Sequence, residues 1–251
     1  MSNLNLWRNK FATTQPLLQS AEAPPVPRVA RPLLRVVVLN TKGGCGKTTL
    51  ATNLASYHVR QGHTVMLADF DPQGSTTEWL AARPAERPSI HGVKAWKDPV
   101  RAPEKPDYLI IDAPAGVHGR ELTHLVRHAH HILIPVLPSP IDIRAAAHFI
   151  GELLLTCKAM SSAVTLAVVA NRAREQTLIY KDLERFLNSL EIPFIATLRE
   201  TQNYIRAAKQ GLGIFELPFA QVADDLVEWQ PILAWLREQS IMPVPEMEAV
   251  G

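Results

Sequence analysis

The sequence predicts an α/β fold in which a doubly wound, mostly parallel sheet is flanked by helices. Strand-like apolar runs alternate with stretches of helical spacing, which is typical of a parallel sheet with crossover helices. The runs are almost continuously apolar, as expected of strands that are covered on both faces. The length of 251 residues suits one substantial domain. In such a fold, the ligand site is expected at the carboxyl ends of the strands.

The predicted elements follow one another along most of the chain. Strands are predicted at 34–40, 64–70, 107–112, 131–137, 163–170 and 192–198, with a weaker one near 89–93. Helical spacing covers 47–61, 119–129, 141–158 and 177–190. Pro231 predicts a kink or a fresh start within the last helix.

These elements place one domain at residues 33–240, between two segments without clear periodicity. Residues 1–32 are rich in proline and basic side chains and predict a flexible leader. Residues 241–251 predict a flexible tail. The basic leader, which includes Arg28 and Arg31, could contact nucleic acid or could simply be solvated.

Composition restricts the class of protein. The 47% hydrophobic content and the net charge of +2 describe an ordinary globular protein. No segment has the apolar length of a membrane span or the apolar core of a secretory signal, so we expect a cytoplasmic protein without membrane attachment. Cys45 and Cys157 cannot form a disulfide framework and do not indicate a metal site.

A glycine-rich turn joins the first predicted strand to the first predicted helix. Gly43, Gly44 and Gly46 permit backbone conformations that turn successive N–H groups toward an anion, and the helix amino terminus adds partial positive charge. Lys47 is then placed to bind the β and γ phosphates of a nucleotide, and the Thr48 hydroxyl to ligate Mg²⁺. Cys45 occupies a variable position of this loop, and Thr49 completes the predicted nucleotide-binding set.

An ordinary phosphate loop does not explain the additional lysine, Lys42, in K-G-G-C-G-K-T-T. This stretch resembles the deviant P-loop of the ParA/MinD NTPases, whose extra lysine contacts the nucleotide of the partner subunit. The resemblance implies a homodimer that forms on ATP. A cation supplied in this way would offset charge that develops on the transferred phosphoryl group.

Further motifs strengthen the resemblance. The segment LADFDPQGSTTEW (67–79) resembles the family's switch I, which implies that Asp71 orients the attacking water, with Asp69 as the lesser candidate. The strand YLIIDAPAG (108–116) ends in Asp112, which is expected to hold Mg²⁺ through water near Thr48. The family resemblance also puts Asn171 and Arg172 at the adenine of ATP.

The segments 133–146 and 194–216 resemble the short, ParF-like partition ATPases. This implies an ATP-dependent switch that binds DNA non-specifically, associates with the nucleoid and moves a cargo, with a ParB-like or cargo adaptor protein stimulating hydrolysis. Arg199, Arg206 and Lys209 are the candidate DNA contacts. They could instead be solvated or could pair with the acidic C-terminal segment.

Two other interpretations of the sequence compete with this one. A nucleotide-dependent enzyme or a metal-trafficking ATPase could use the same scaffold, because a fold alone does not settle function. A zinc site at His124, His128, His130 and His131 is disfavoured, because no cysteine or paired carboxylate clusters with them. We expect these histidines to be solvated at the end of a helix.

Overall fold

The computed structural model describes residues 33–101, 105–160 and 163–241. Within them, seven parallel strands form one sheet in the order β3-β2-β4-β1-β5-β6-β7. The α/β prediction is therefore confirmed. The strands are β1 (Leu34–Val38), β2 (Val65–Asp69), β3 (His91–Lys94), β4 (Tyr108–Asp112), β5 (His131–Val136), β6 (Thr165–Ala173) and β7 (Phe194–Arg199).

Helices cover both faces of the sheet. They are α1 (Lys47–Arg60), α2 (Ser75–Ala81), α3 (Gly119–Arg127), α4 (Pro140–Ala159), α5 (Leu178–Asn188), α6 (Gln202–Lys209) and α7 (Phe219–Ile241), with a short 3-10 helix at Ile214–Glu216. One core packs α3, α4 and α5 against the sheet. The other packs α1 and α7 against its opposite face, with Trp79 of α2 and Trp229 of α7 fully or almost fully buried. Burial of both faces explains the continuous apolar character of the strands.

The strand register brings three functional segments to one edge of the sheet. Val38 at the end of β1 and Asp69 at the end of β2 both lie beside Asp112 at the end of β4. The glycine-rich turn follows β1, and the predicted switch I segment follows β2. The candidate site therefore lies at the carboxyl edge, where the sequence predicts it.

Two expectations drawn from the sequence are wrong in part. The last helix runs through Pro231 without a fresh start. His131 is not a solvated helix-end residue, because it begins β5, is 3% exposed and shares a 2.6 Å hydrogen bond with Thr165. Its place in a central strand buries it regardless of its polarity. His124 and His128, by contrast, are exposed on and after α3.

The predictions for the leader, including Arg28 and Arg31, fall outside the described residues, as does the 242–251 part of the predicted tail. Among the described residues, no helix has both the length and the apolar character that crossing a bilayer requires.

Candidate functional site

The glycine-rich turn folds as a tight loop between β1 and α1. Gly44 and Gly46 have φ angles of 75° and 99°, in the left-handed region that favours glycine. Gly46 is the residue that precedes α1, and a Cβ atom there would collide with the side-chain amide of Asn171. Position 46 therefore favours glycine both for its backbone conformation and for the close approach of the Asn171 side chain.

Two buried asparagines hold this loop against the sheet. Asn40 donates a 2.7 Å hydrogen bond to the carbonyl of Pro135 in β5 and accepts one of 3.1 Å from the Lys42 amide. Asn171, near the end of β6, donates a 2.8 Å hydrogen bond to the carbonyl of Cys45. The amide group of Asn171 thus contacts the phosphate loop itself, and this fixes the loop relative to the segment that the sequence associates with adenine.

Cys45 lies inside the loop with its thiol directed at backbone. The side chain is 1% exposed, and Sγ lies 3.2 Å from the Lys42 carbonyl, to which it donates. Burial raises the pKa of the Cys45 thiol. A buried thiol with a raised pKa is a poor nucleophile, which favours a packing role for this residue.

The two lysines of the loop have different environments. Lys47 is 7% exposed, and its Nζ donates a 3.1 Å hydrogen bond to the carbonyl of Lys42, so the ammonium group lies against the loop. Lys42 is partly exposed, and within the described part of the chain its side chain forms no ion pair. The loop therefore holds one lysine inward and leaves the other toward its surface.

Asp112 lies at the centre of the carboxyl edge and is 1% exposed. Its Oδ2 accepts two hydrogen bonds of 2.7 Å, from the hydroxyls of Thr48 and Thr76. Its Oδ1 is buried and has no hydrogen-bond partner among the described residues. Burial raises the pKa of Asp112 to about 6, against the opposing effect of the two hydroxyls.

These groups fit a hard divalent cation. A buried carboxylate oxygen without a partner is costly unless something satisfies it, and carboxylate and hydroxyl oxygens suit Mg²⁺. Thr48 is the first-turn threonine that follows Lys47, so a cation beside Asp112 would also lie beside the phosphates bound by the loop. The residues predicted to hold Mg²⁺ are thus brought together.

The two carboxylates of the predicted switch I segment differ in burial and in hydrogen bonding. Asp69 is 1% exposed, and its oxygens accept hydrogen bonds from the Asp71 amide and from the amide and hydroxyl of Thr77 at 2.9–3.1 Å. It therefore caps α2. Asp71 lies in the turn before α2, is partly exposed and accepts a 2.9 Å hydrogen bond from the Gln73 amide through one oxygen. This leaves Asp71 the more accessible of the two carboxylates.

The end of β6 is irregular at the predicted adenine residues. Arg172 has φ 50°, which makes it the sole non-glycine residue with positive φ in the described segments, and the β6–β7 register shifts beside it. Such irregular backbone is typical of functional sites. The Arg172 side chain is 57% exposed, and its guanidinium lies 3.7 Å from Glu200, which also pairs with Arg174 at 2.7 Å.

The three candidate DNA contacts differ in whether they already form ion pairs within the protein. Arg199 pairs with Asp225 at 2.7 Å and with Asp224 at 3.0 Å, and these carboxylates raise the pKa of its guanidinium. Arg199 therefore connects β7 to α7. For this residue, the alternative in which it pairs with the acidic C-terminal segment is the one that the structure shows. Arg206 and Lys209 are exposed on α6 and form no ion pair with the described residues.

Sequence patterns do not single out Thr76, although its hydroxyl bonds Asp112, the carboxylate that is predicted to hold Mg²⁺. The only signal is the pair of threonines that follows D-x-D-P-Q-G-S. Nothing in the local pattern distinguishes Thr76, which bonds Asp112, from Thr77, which bonds Asp69.

Comparisons with known proteins agree with this geometry. The model of the CobQ/CobB/MinD/ParA nucleotide binding domain matches residues 36–214. Maintenance of carboxysome distribution protein A of Halothiobacillus neapolitanus is 29% identical over 191 residues, which cover 72% of this chain and 87% of that protein. Chromosome-partitioning ATPase Soj of Thermus thermophilus is 30% identical over 180 residues, which cover 72% of this chain and 67% of that protein.

A solved structure agrees in fold. The septum site-determining protein MinD of Pyrococcus horikoshii OT3, complexed with Mg-ADP, matches with a TM-score of 0.62 at 16% identity. The match covers 84% of this chain and 100% of that chain. Fold, phosphate loop and sequence similarity lead to one conclusion. The chain belongs to the CobQ/CobB/MinD/ParA nucleotide-binding family and is a ParA/MinD-type ATPase.

Proposed function

We propose that the protein is an ATP-dependent dimerising switch that binds DNA non-specifically and partitions or positions a cargo. An adaptor protein would stimulate hydrolysis and so release the protein from DNA. The similarity to proteins named for carboxysome distribution and for chromosome partitioning supports a positioning role. The cargo class is accordingly a plasmid, a chromosome or a protein assembly.

The observation that carries the proposal is the contrast between the two loop lysines. Lys47 is buried and directed at its own loop, as expected of the cation that binds the phosphates in cis. Lys42 lies in the same loop, is partly exposed and forms no ion pair with the described residues. A cation in this position can reach a nucleotide held by a second copy of the chain, which would make dimerisation depend on the γ phosphate.

The remaining steps use residues of the same edge. The loop amides and Lys47 bind the phosphates, while Thr48 and Asp112 hold Mg²⁺, which when bound neutralises charge on the β and γ phosphates. Asp71 orients the attacking water, because it is partly exposed, whereas Asp69 is buried and both of its oxygens already accept hydrogen bonds, Oδ1 from the Asp71 amide and Oδ2 from Thr77. Asn171 and Arg172 contact the adenine. Hydrolysis removes the group that Lys42 contacts and so separates the dimer.

The DNA-binding surface is assigned to α6. Arg206 and Lys209 are three residues apart on this helix, so they share one exposed face. We leave Arg199 out of this surface, since Asp224 and Asp225 already neutralise it. Dimerisation would double the set of cations that face DNA phosphates, which explains how ATP can control affinity without reshaping either subunit.

Charge reversal tests this assignment. The double variant Arg206→Glu/Lys209→Glu should lose ATP-dependent binding to duplex DNA, and the slope of log affinity against log salt should fall by about 0.9 for each DNA phosphate that is no longer neutralised. The matched control is Arg120→Glu/Arg127→Glu, which makes the same charge change at exposed positions of α3, on the opposite face of the sheet.

Fluorescence anisotropy with labelled duplex DNA, across a series of salt concentrations, measures both quantities. The control should keep most of the affinity and the salt slope of the wild type. Equal losses in the two double variants would indicate a general charge effect and would refute the assignment to α6. Unchanged binding by the α6 variant would do the same.

A further inference from the structure

Thr76 is a buried hydroxyl that contacts the metal site from outside the phosphate loop. It lies in the first turn of α2, is 0% exposed and donates a 2.7 Å hydrogen bond to Oδ2 of Asp112. We infer that Thr76 is a positioning residue, whose hydroxyl orients Asp112 so that Oδ1 faces the Mg²⁺ of the bound nucleotide. The inference rests on the proposed function, in which Asp112 is the metal carboxylate and Asp71 the water-orienting one.

The two carboxylate oxygens have different roles in this arrangement. Thr48 and Thr76 both donate to Oδ2, from different elements and at the same distance of 2.7 Å. Oδ1 is buried without a partner among the described residues. A partial rotation of the carboxylate would break both bonds, so the two hydroxyls together fix the orientation of the group and leave one of its oxygens available. With one donor removed, the carboxylate can turn and the preorganised geometry is lost.

The contact is not the usual way in which a helix satisfies a threonine. A helical threonine commonly bonds the carbonyl of the preceding turn, as Thr52 does with Thr48 at 2.8 Å and Thr123 does with Gly119 at 2.9 Å. Thr76 is the second residue of α2, so no helical carbonyl precedes it by four residues, and its hydroxyl instead bonds a carboxylate 36 residues away, at the end of β4. Valine would fill the same buried volume, so the hydroxyl is needed for the contact and not for packing.

The position of α2 gives the contact a second consequence. The helix begins directly after the turn that contains Asp71, and Asp69 caps it through Thr77. Thr76 therefore links the turn that carries the water-orienting carboxylate to the carboxylate that holds the metal. Both groups must be correctly placed at once for hydrolysis.

The test compares nucleotide affinity with and without the metal. Titration calorimetry of ADP, in excess Mg²⁺ and in EDTA, gives the Mg²⁺-dependent gain in affinity for each variant. Thr76→Val should reduce this gain about tenfold, because loss of a group that orients a metal ligand typically costs roughly 10- to 100-fold in metal affinity. Affinity in EDTA should stay within about twofold. Thr76→Ser keeps the hydroxyl and should restore the gain.

Thr165→Val is the matched control. It removes a 2.6 Å hydroxyl hydrogen bond, to buried His131, at the opposite edge of the sheet. It should lower thermal stability while leaving the Mg²⁺-dependent gain unchanged. If Thr76→Val does not fold, Thr76→Ala makes the same comparison.

A wild-type gain that persists in Thr76→Val or Thr76→Ala would overturn the inference. So would a loss that Thr76→Ser fails to restore, because the methyl group and not the hydroxyl would then be responsible. Absence of any Mg²⁺-dependent gain in the wild type is a different result, since it would refute the assignment of Asp112 to the metal.

Discussion

Replacing Asp112 with asparagine should stabilise the protein while removing its response to Mg²⁺. The carboxylate is 1% exposed, and burial raises its pKa from 3.8 to about 6. The unfolded chain therefore releases this proton at lower pH than the folded protein does. Stability contributed by the protonated form is lost as pH rises from 3.8 to 6, and it stays lost above that range.

The magnitude follows from the pKa difference. A difference of about two pKa units corresponds to roughly 3 kcal/mol at neutral pH, at about 1.36 kcal/mol for each unit. Asparagine is neutral at every pH, as the protonated acid is, and it can accept from Thr48 and Thr76 through its oxygen. Asp112→Asn should therefore gain about 3 kcal/mol at pH 7.5 but only about 1 kcal/mol at pH 4.5.

Urea denaturation at the two pH values, in EDTA and without nucleotide, measures the gain. Asp71→Asn is the control, because this carboxylate is partly exposed and its replacement should change stability by less than about 0.5 kcal/mol. The same Asp112→Asn protein should show no Mg²⁺-dependent increase in ADP affinity. A gain that is equal at both pH values, or a loss of stability at pH 7.5, would refute the reasoning.

Two further predictions concern buried charges outside the loop. Arg83 and Glu216 form a two-bond ion pair whose side chains are 5% and 0% exposed, so Arg83→Met should cost about 3–5 kcal/mol by leaving Glu216 unpaired. The double variant Arg83→Met/Glu216→Gln should recover part of the lost free energy of unfolding, as measured by urea denaturation. A double variant less stable than Arg83→Met would contradict this prediction. Burial lowers the pKa of His58 to about 3. The His58 side chain therefore stays neutral in the folded protein, whereas in the unfolded chain it takes up a proton below pH 6.5. The free energy of unfolding should therefore fall by about 2 kcal/mol between pH 7.5 and pH 5, and His58→Phe should make this fall smaller. An equal fall in the wild type and in His58→Phe would contradict the prediction.

Short-range patterns were sufficient to predict the sheet. The central strands β1, β4 and β5 are buried on both faces, so their composition alone distinguishes them from the helices that follow. The edge strand β3, at His91–Lys94, is mostly exposed and gave only a weak signal near 89–93. The phosphate loop was predictable for a different reason, because its glycines and lysines act through the local backbone.

Contacts between distant residues could not be predicted in this way. Thr76 looks like its neighbour Thr77 in the sequence, and only the packing of α2 beside β4 brings it to Asp112. The sequence alone is consistent with Arg199 as a DNA contact, because it does not show that Arg199 pairs with Asp225, 26 residues later. A strand is predicted from residue 131, but the sequence does not show that this strand lies between two others in the sheet, and so the burial of His131 is not predicted. In each case, tertiary contacts override what the local sequence suggests.

The central claim is that ATP, acting through Lys42, controls assembly of the protein. The direct measurement is light-scattering mass of Asp71→Ala, in which hydrolysis should be blocked, with ATP and with ADP. The account predicts the 27.8 kDa chain mass with ADP and twice that mass with ATP, and it predicts that adding Lys42→Ala abolishes the ATP-dependent doubling while ATP still binds. A mass that is the same with both nucleotides, or doubling that survives in Lys42→Ala, would contradict it.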